Sequence, residues 1–322
     1  MIGVLLINLG TPDAPDAASV RRYLKEFLSD RRVVEIPQII WQPILRGAVL
    51  TTRPAKSAEA YKLVWREDGS PLAAITRAQA MALKNAFGPG VLVDYAMRYG
   101  RPAIADGIAA LMEKGCDRIL LAPLYPQYCA ATTATANDAA FTALAAMRAQ
   151  PAIRTLPPYY ADPVYIDALA ASIREGLAAL DFEPDALLAS FHGMPERTRK
   201  LGDPYHDHCR ETARLLEEAL GRPIMTVFQS RFGRAKWLEP ATDTTLAELP
   251  KRGVRSVALV CPGFSADCIE TLEEIAIRGR ETFLEAGGTA FAYIPCLNDS
   301  ADGNEMLRVI LARELAGWLP AT

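Results

Sequence analysis

Few residues of this chain are suited to proton or metal chemistry. It has three histidines, and two of them, His206 and His208, fall in the stretch GDPYHDHCR with Asp207 between and Cys209 behind. Asp203 followed by Pro204 reads as an N-cap and first helical residue. On a helix, two imidazoles spaced by two lie about 200° apart around the axis. A single ion held from a helix needs ligands three or four apart, so HDHC reads as polar residues on the first turn of a surface helix. The third histidine, His192, ends the apolar run ALLASF and precedes Gly193. That is the carboxyl end of a strand, where open α/β sheets keep their ligand sites. An imidazole there serves as base or metal ligand near neutral pH, or it hydrogen-bonds a loop carbonyl. Carboxylates gather in PGFSADCIETLEEI. A helix is expected to begin near Asp267, with Glu270 and Glu274 one turn apart on a shared face and Glu273 and Glu281 close by. Stacked carboxylates can pass on a hard cation, because oxygen ligands hold it loosely. The same pattern also suits a solvated acidic face favoured by the helix dipole.

Such residues need a scaffold to position them. At 322 residues the chain exceeds what one core usually supports, so two domains are expected. Half the residues are apolar and 23% charged, a globular balance that excludes disorder. The formal charge of −3, with Lys and Arg scattered, lacks a nucleic-acid footprint. The apolar run from Ile2 to Leu9 is too short for a signal peptide or a membrane span. A soluble, cytoplasmic protein is expected, with peripheral membrane contact as a further option. Six cysteines (Cys116, Cys129, Cys209, Cys261, Cys268, Cys296) show no CxxC spacing, which favours separate reduced thiols.

Eight short strands are expected at 3–9, 91–97, 118–124, 152–157, 186–192, 224–230, 256–262 and 290–295. Most are continuous apolar runs, as in parallel sheets covered on both faces. Amphipathic helices such as HCRETARLLEEALG lie between them, and several end in Gly. Alternating strands and helices imply a doubly wound α/β architecture. EKGCDRILLAPLYPQY echoes KRGVRSVALVCPGFSA, and LLINLG echoes LLASFHG. The chain thus reads as two Rossmann-like domains with a ligand cleft between them: 1–140 closed by 304–322, whose helix GNEMLRVILARELAGWL packs back, and 141–303 carrying His192 and Glu270.

Seven segments in order, LLINLGTPDAP, MRYGRP, LAPLYPQY, SFHGMPERT, GDPYHDHC, FQSRFGRAKWLEP and PGFSADCIETLEEI, resemble the motif set of the ferrochelatases. These are lyases that insert ferrous iron into a porphyrin in haem biosynthesis. The resemblance runs from residue 3 to about residue 300. It implies that His192 is the active-site histidine that takes pyrrole protons or ligates iron. Glu270 would be its carboxylate partner and Glu274 the next metal-binding rung. Arg98 and Tyr99 would line the macrocycle, with Tyr125, Trp237 and the Asn8, Leu9, Gly10 turn as walls. Arg53, Lys56, Tyr61 and Ser230 would meet or approach the propionates. An apolar macrocycle with anionic edges calls for such walls and rim cations. Metallation removes two N–H protons and strips water from the ion, tasks for an imidazole and for carboxylates. A cleft that favours a bent ring would lower the barrier.

Departures from the family pattern are also visible. Cys268 stands where mitochondrial members carry histidine, and Arg278 where relatives continue the acidic path. The resemblance implies iron and porphyrin as substrates and no permanent cofactor. Without a carboxyl-terminal cysteine extension, no iron–sulfur cluster and a monomer are expected. The alternatives are a non-catalytic tetrapyrrole or metal-chelate binder and a cobalt or nickel chelatase.

Overall fold

The computed structural model describes residues 1–231, 233 and 235–319. Phe232 and Arg234 of the tryptophan segment, and residues 320–322 of the expected closing stretch, lie outside the described residues. Eight strands form: β1 (Ile2–Gly10), β2 (Val91–Tyr99), β3 (Arg118–Pro123), β4 (Ala152–Thr155), β5 (Ala186–His192), β6 (Ile224–Gln229), β7 (Ser256–Val260) and β8 (Ala290–Tyr293). They match the eight apolar runs of the sequence, with β1 and β2 running longer than expected and β3, β4, β6, β7 and β8 trimmed by one or two residues at their carboxyl ends. All neighbours are parallel, in two four-stranded sheets ordered β2-β1-β3-β4 and β6-β5-β7-β8. Helices supply the crossovers that parallel pairing requires, among them Ile104–Glu113 after β2 and Tyr205–Leu220 after β5.

Burial explains the runs. Val4, Leu5, Leu6 and Ile7 of β1 are wholly inaccessible, as are Leu188, Val257 and Leu259 in the second sheet. With both faces covered, alternation has no advantage and every position favours an apolar residue. Each such side chain contributes roughly 1.5–3 kcal/mol on burial.

The first compact unit comprises Met1–Leu124, Cys129–Pro157 and the chain from Leu307 onward, and the second comprises Tyr125–Tyr128 and Pro158–Met306. The boundary expected at 140 falls inside the helix Thr135–Ala145. Division comes after Pro157 instead because β4 pairs with β3, Leu120 opposite Arg154, and so belongs to the first sheet. Arg154 also holds the end of the last helix, donating from Nη1 to the carbonyls of Glu314 (2.5 Å) and Ala316 (2.9 Å) and lying 4.3 Å over the Trp318 ring.

In both sheets the first strand in sequence lies between the second and the third. The order reverses between β1 and β3 and again between β5 and β7, and ligands of open α/β sheets bind outside the strand ends at such a reversal. In the second unit the reversal sets the turn after His192 beside the segment that leads from β7 to Glu270.

Candidate active site

His192 is the last residue of β5. The turn behind it is fixed by Gly193, whose N–H donates to the Gln229 carbonyl at 2.7 Å. A Cβ at Gly193 would lie 2.4 Å from that oxygen, so only glycine fits. The same Cβ direction meets the Trp237 ring at 3.4 Å. Residues 194–196 pair with 236–238, Leu238 N–H to Met194 at 2.9 Å and Glu196 N–H to Lys236 at 2.8 Å, which brings Trp237 alongside. Phe264 presents its edge to the imidazole at 6.4 Å between centroids. Burial pushes the imidazole below its usual range, partly opposed by the Glu270 carboxylate. The ring is therefore neutral at pH 7 and can accept a proton.

The acidic segment departs from the single α-helix expected from Asp267. A short α-helical turn, Ile269–Thr271, passes into a π-helix, Leu272–Gly279, before α-helix resumes at Arg280–Glu285. The entry is tightly tied. The Thr271 hydroxyl accepts the Cys268 N–H (3.0 Å) and donates to the buried Asp267 (2.8 Å), which also receives Tyr293 (2.5 Å) and Asn298 (2.7 Å). The i→i+5 ladder of a π-helix brings residues five apart together: Arg278 Nε reaches Glu273 at 2.8 Å. Glu273, expected on the acidic face, is buried under that pair. Glu274 is clamped by Ser230, through its N–H at 2.7 Å and its hydroxyl at 2.5 Å. Ser230 holds φ +64° to aim both donors. Burial raises the Glu274 carboxyl above the usual carboxylate range despite those two bonds. Ser230, expected at the propionates, thus spends its donors on the second carboxylate.

Gln229, which the sequence reading passed over, joins these pieces. Its side chain accepts Ser190 Oγ from β5 at 2.7 Å and donates to the Glu270 carbonyl at 2.8 Å, while its backbone oxygen takes Gly193 N–H. One buried amide therefore fixes the His192 turn and the Glu270 turn together. Its only signal in sequence was a polar residue ending the buried run IMTVFQ.

The remaining expected residues are in the first unit, apart from Tyr125, which belongs to the second. Leu9 is partly exposed at the end of β1, next to Asn8, which donates to Thr76 at 3.2 Å. Gly10, at φ +109°, lies so close to Tyr99 that a Cβ would overlap the Tyr99 carbonyl. Arg98 and Tyr99 end β2 but share the partners Asp30 and Thr135. The Tyr99 ring is fully buried, so it backs Arg98 and offers no surface of its own. Burial pushes the Asp30 carboxyl up, yet bonds from Thr135, the Arg32 N–H and Tyr99, with the Arg98 charge, outweigh it and hold Asp30 below its usual range. Arg53 and Lys56 are exposed on the helix Leu50–Val64, while Tyr61 is buried with its ring edge to Trp65. Tyr125 follows β3 and is partly buried. A cavity of about 430 Å³, lined by Thr11, Arg22, Tyr23, Glu26 and Arg101 among others, contains none of the expected site residues.

His206 and His208 do point apart, but neither is a free surface group. His206 stacks on Phe228 at 5.8 Å, and His208 stacks on Tyr160 at 3.7 Å and accepts the Tyr128 N–H at 3.2 Å. Their helix starts at Tyr205, with Asp203 accepting its N–H at 3.0 Å. Among the described residues, no three His, Cys, Asp or Glu side chains are arranged to hold a metal ion. All six cysteines are buried thiols.

A family model described as Ferrochelatase matches residues 1–315. The ferrochelatase of Rhizobium meliloti is 57% identical over 325 residues, covering 99% of this chain and 96% of that protein. That of Mesorhizobium japonicum is 55% identical, covering 99% and 92%. Among solved structures, SirB from Bacillus subtilis with Fe3+ matches at a TM-score of 0.59 and 13% identity, over 98% of this chain and 96% of that one. CbiX, the terminal enzyme of sirohaem biosynthesis in denitrifying bacteria, matches at 0.57 and 15% identity, over 98% and 100%. The structural likenesses are of fold, two parallel four-stranded sheets flanked by helices; the sequence matches carry the family, and this chain belongs to the ferrochelatases.

Proposed function

We propose that this chain inserts ferrous iron into a porphyrin for haem synthesis, with His192 and Glu270 as its catalytic groups. Iron is a substrate here, and the reading includes neither a resident cofactor nor an iron–sulfur cluster. The observation that carries the assignment is a neutral imidazole and a carboxylate-bearing turn at adjacent strand ends, locked together through Gln229. Insertion displaces two pyrrole protons while the ion exchanges water for ring nitrogens. His192 accepts one of the two protons as its N–H bond breaks, and the other passes to water. Glu270 receives the ion in exchange for water, with Glu274 the next oxygen ligand behind it. Burial raises the Glu274 carboxyl above the usual carboxylate range, while the Ser230 hydroxyl and N–H hold it in place.

Leu9, Tyr125 and Trp237 act as apolar walls, Arg98 as a polar contact backed by Tyr99, and Arg53 and Lys56 as rim cations for the propionates. Tyr61 supports their helix from its buried side, and Ser230 acts through Glu274. A bent ring exposes nitrogen lone pairs, so tighter binding of the distorted porphyrin lowers the barrier.

The protein acts in the cytoplasm as a monomer, touching membrane only peripherally. No described helix is long and apolar enough to cross a membrane. The helix Gln38–Ile44 nevertheless turns Ile39, 86% exposed, with Ile40 and Ile44 outward while Trp41 anchors its inner face. An apolar helical face of that kind suits the interface of a bilayer, where porphyrins partition.

The test is anaerobic insertion of Fe2+ into protoporphyrin by the wild type and His192→Ala. Turnover by the wild type, abolished in the variant while porphyrin binding persists, is expected. Retained turnover in His192→Ala would remove His192 from the mechanism, and porphyrin binding without turnover in the wild type would leave a binding protein.

A further inference from the structure

The Arg98 guanidinium is built into a network that the reaction chemistry does not require. Asp30 caps the carboxyl end of the helix Ala17–Ser29, with its side chain 11% exposed. It collects Arg98 Nη2 at 2.5 Å, the Tyr99 hydroxyl at 2.9 Å, the Arg32 N–H at 2.8 Å and the Thr135 hydroxyl. Thr135 is itself buried and takes Arg98 Nε twice, on its hydroxyl at 2.8 Å and its carbonyl at 2.9 Å. The guanidinium carbon lies 4.3 Å over the Tyr99 ring. Two of the three guanidinium nitrogens are thus committed, and Nη1 has no hydrogen-bond partner among the described residues. The side chain keeps 18% exposure.

We propose that Asp30 and Thr135 are positioning residues that aim Arg98 Nη1 at the porphyrin. This rests on the reading above that Arg98 meets the macrocycle. A free arginine has many rotamers and must lose them on binding. One clamped through Nε and Nη2 has already done so, and presents one edge in one direction. Asp30 also neutralises the guanidinium, so Arg98 acts as a directed donor and not as a loose cation competing for propionates.

The test is a double-mutant cycle on steady-state iron insertion, with porphyrin KM, metal KM and kcat measured separately. Asp30→Asn is expected to raise the porphyrin KM about tenfold and Thr135→Val about three- to fivefold, as for loss of charge-assisted hydrogen bonds. Metal KM should stay unchanged. In an Arg98→Ala background neither substitution should raise the porphyrin KM further. Full additivity, or metal and porphyrin KM rising together, would overturn the proposal and leave the network a structural brace. An Arg98→Ala protein with wild-type porphyrin KM would instead remove the reading beneath it, and the proposal with it. Should Asp30→Asn fail to fold, the Thr135→Val and Arg98→Ala cycle decides alone, because valine keeps the shape of threonine.

Discussion

Gly193→Ala probes the geometry of the site without touching a reacting group. An added Cβ would stand 2.4 Å from the Gln229 carbonyl oxygen. Real contacts of this kind stay above 3.0 Å, so the two backbones must part by at least about 0.6 Å. The 2.7 Å bond from Gly193 N–H is lengthened or lost, and its acceptor is backbone that cannot rotate aside. Leaving a buried pair unmade costs about 1–3 kcal/mol, or roughly 2–4 °C in Tm for each kcal/mol in a chain of this size. The displacement acts directly on the residue before it, His192. A misplacement of 1 Å costs on the order of 100-fold in rate, so about 0.6 Å should lower kcat roughly 10-fold or more. Porphyrin affinity should fall much less than kcat, because the added Cβ meets the Trp237 ring only at an ordinary contact distance of 3.4 Å. The assay is loss of free-porphyrin fluorescence on anaerobic addition of Fe2+, with binding measured by quenching of tryptophan emission. A variant with lowered Tm but kcat within about twofold of wild type would refute the claim that this turn fixes the imidazole.

Other expectations follow from the same contacts. Ser230→Ala removes the hydroxyl donor from Glu274 and leaves the backbone N–H, which should raise metal KM while porphyrin KM stays put, read by varying Fe2+ and porphyrin in turn. His208→Leu should leave turnover unchanged but lower stability by about 1–3 kcal/mol, because it orphans the Tyr128 N–H, and thermal unfolding checks it. Since burial holds the His192 imidazole below 6.5, the fall in kcat/KM as the base becomes protonated should have its midpoint below pH 6.5. The Asp30 carboxyl is held below its unfolded value of 3.8, so its ionised form stabilises the fold above that pH and the contribution is lost as pH drops. The Tm difference between wild type and Asp30→Asn should therefore be full at neutral pH and shrink as the pH falls below 3.8.

The positions of the strands could be read from the chain because parallel sheets covered on both faces demand unbroken apolar runs. The eight runs found that way are the eight strands. His192 could be read for the same reason, as a titratable residue ending such a run. Glu270 and Glu274 were visible as residues but not as a geometry. Spacing of four implies one α-helical turn, whereas the backbone there follows an i→i+5 ladder that pairs Glu273 with Arg278. No residue pattern distinguishes the two, since both use the same apolar and acidic side chains.

Local periodicity thus determined the parallel strands, the helices between them and the strand-end histidine, all of which depend on residues a few positions apart. Contacts across 39 to 105 positions were decided only in three dimensions. Gln229 meets Ser190 and Glu270 because strand order puts β5 between β6 and β7. Asp30 meets Arg98 and Thr135 because a helix end, a strand end and a helix start converge. Whether a buried amide or carboxylate is well placed depends on donors that folding brings to it, and those leave no periodic trace in the chain.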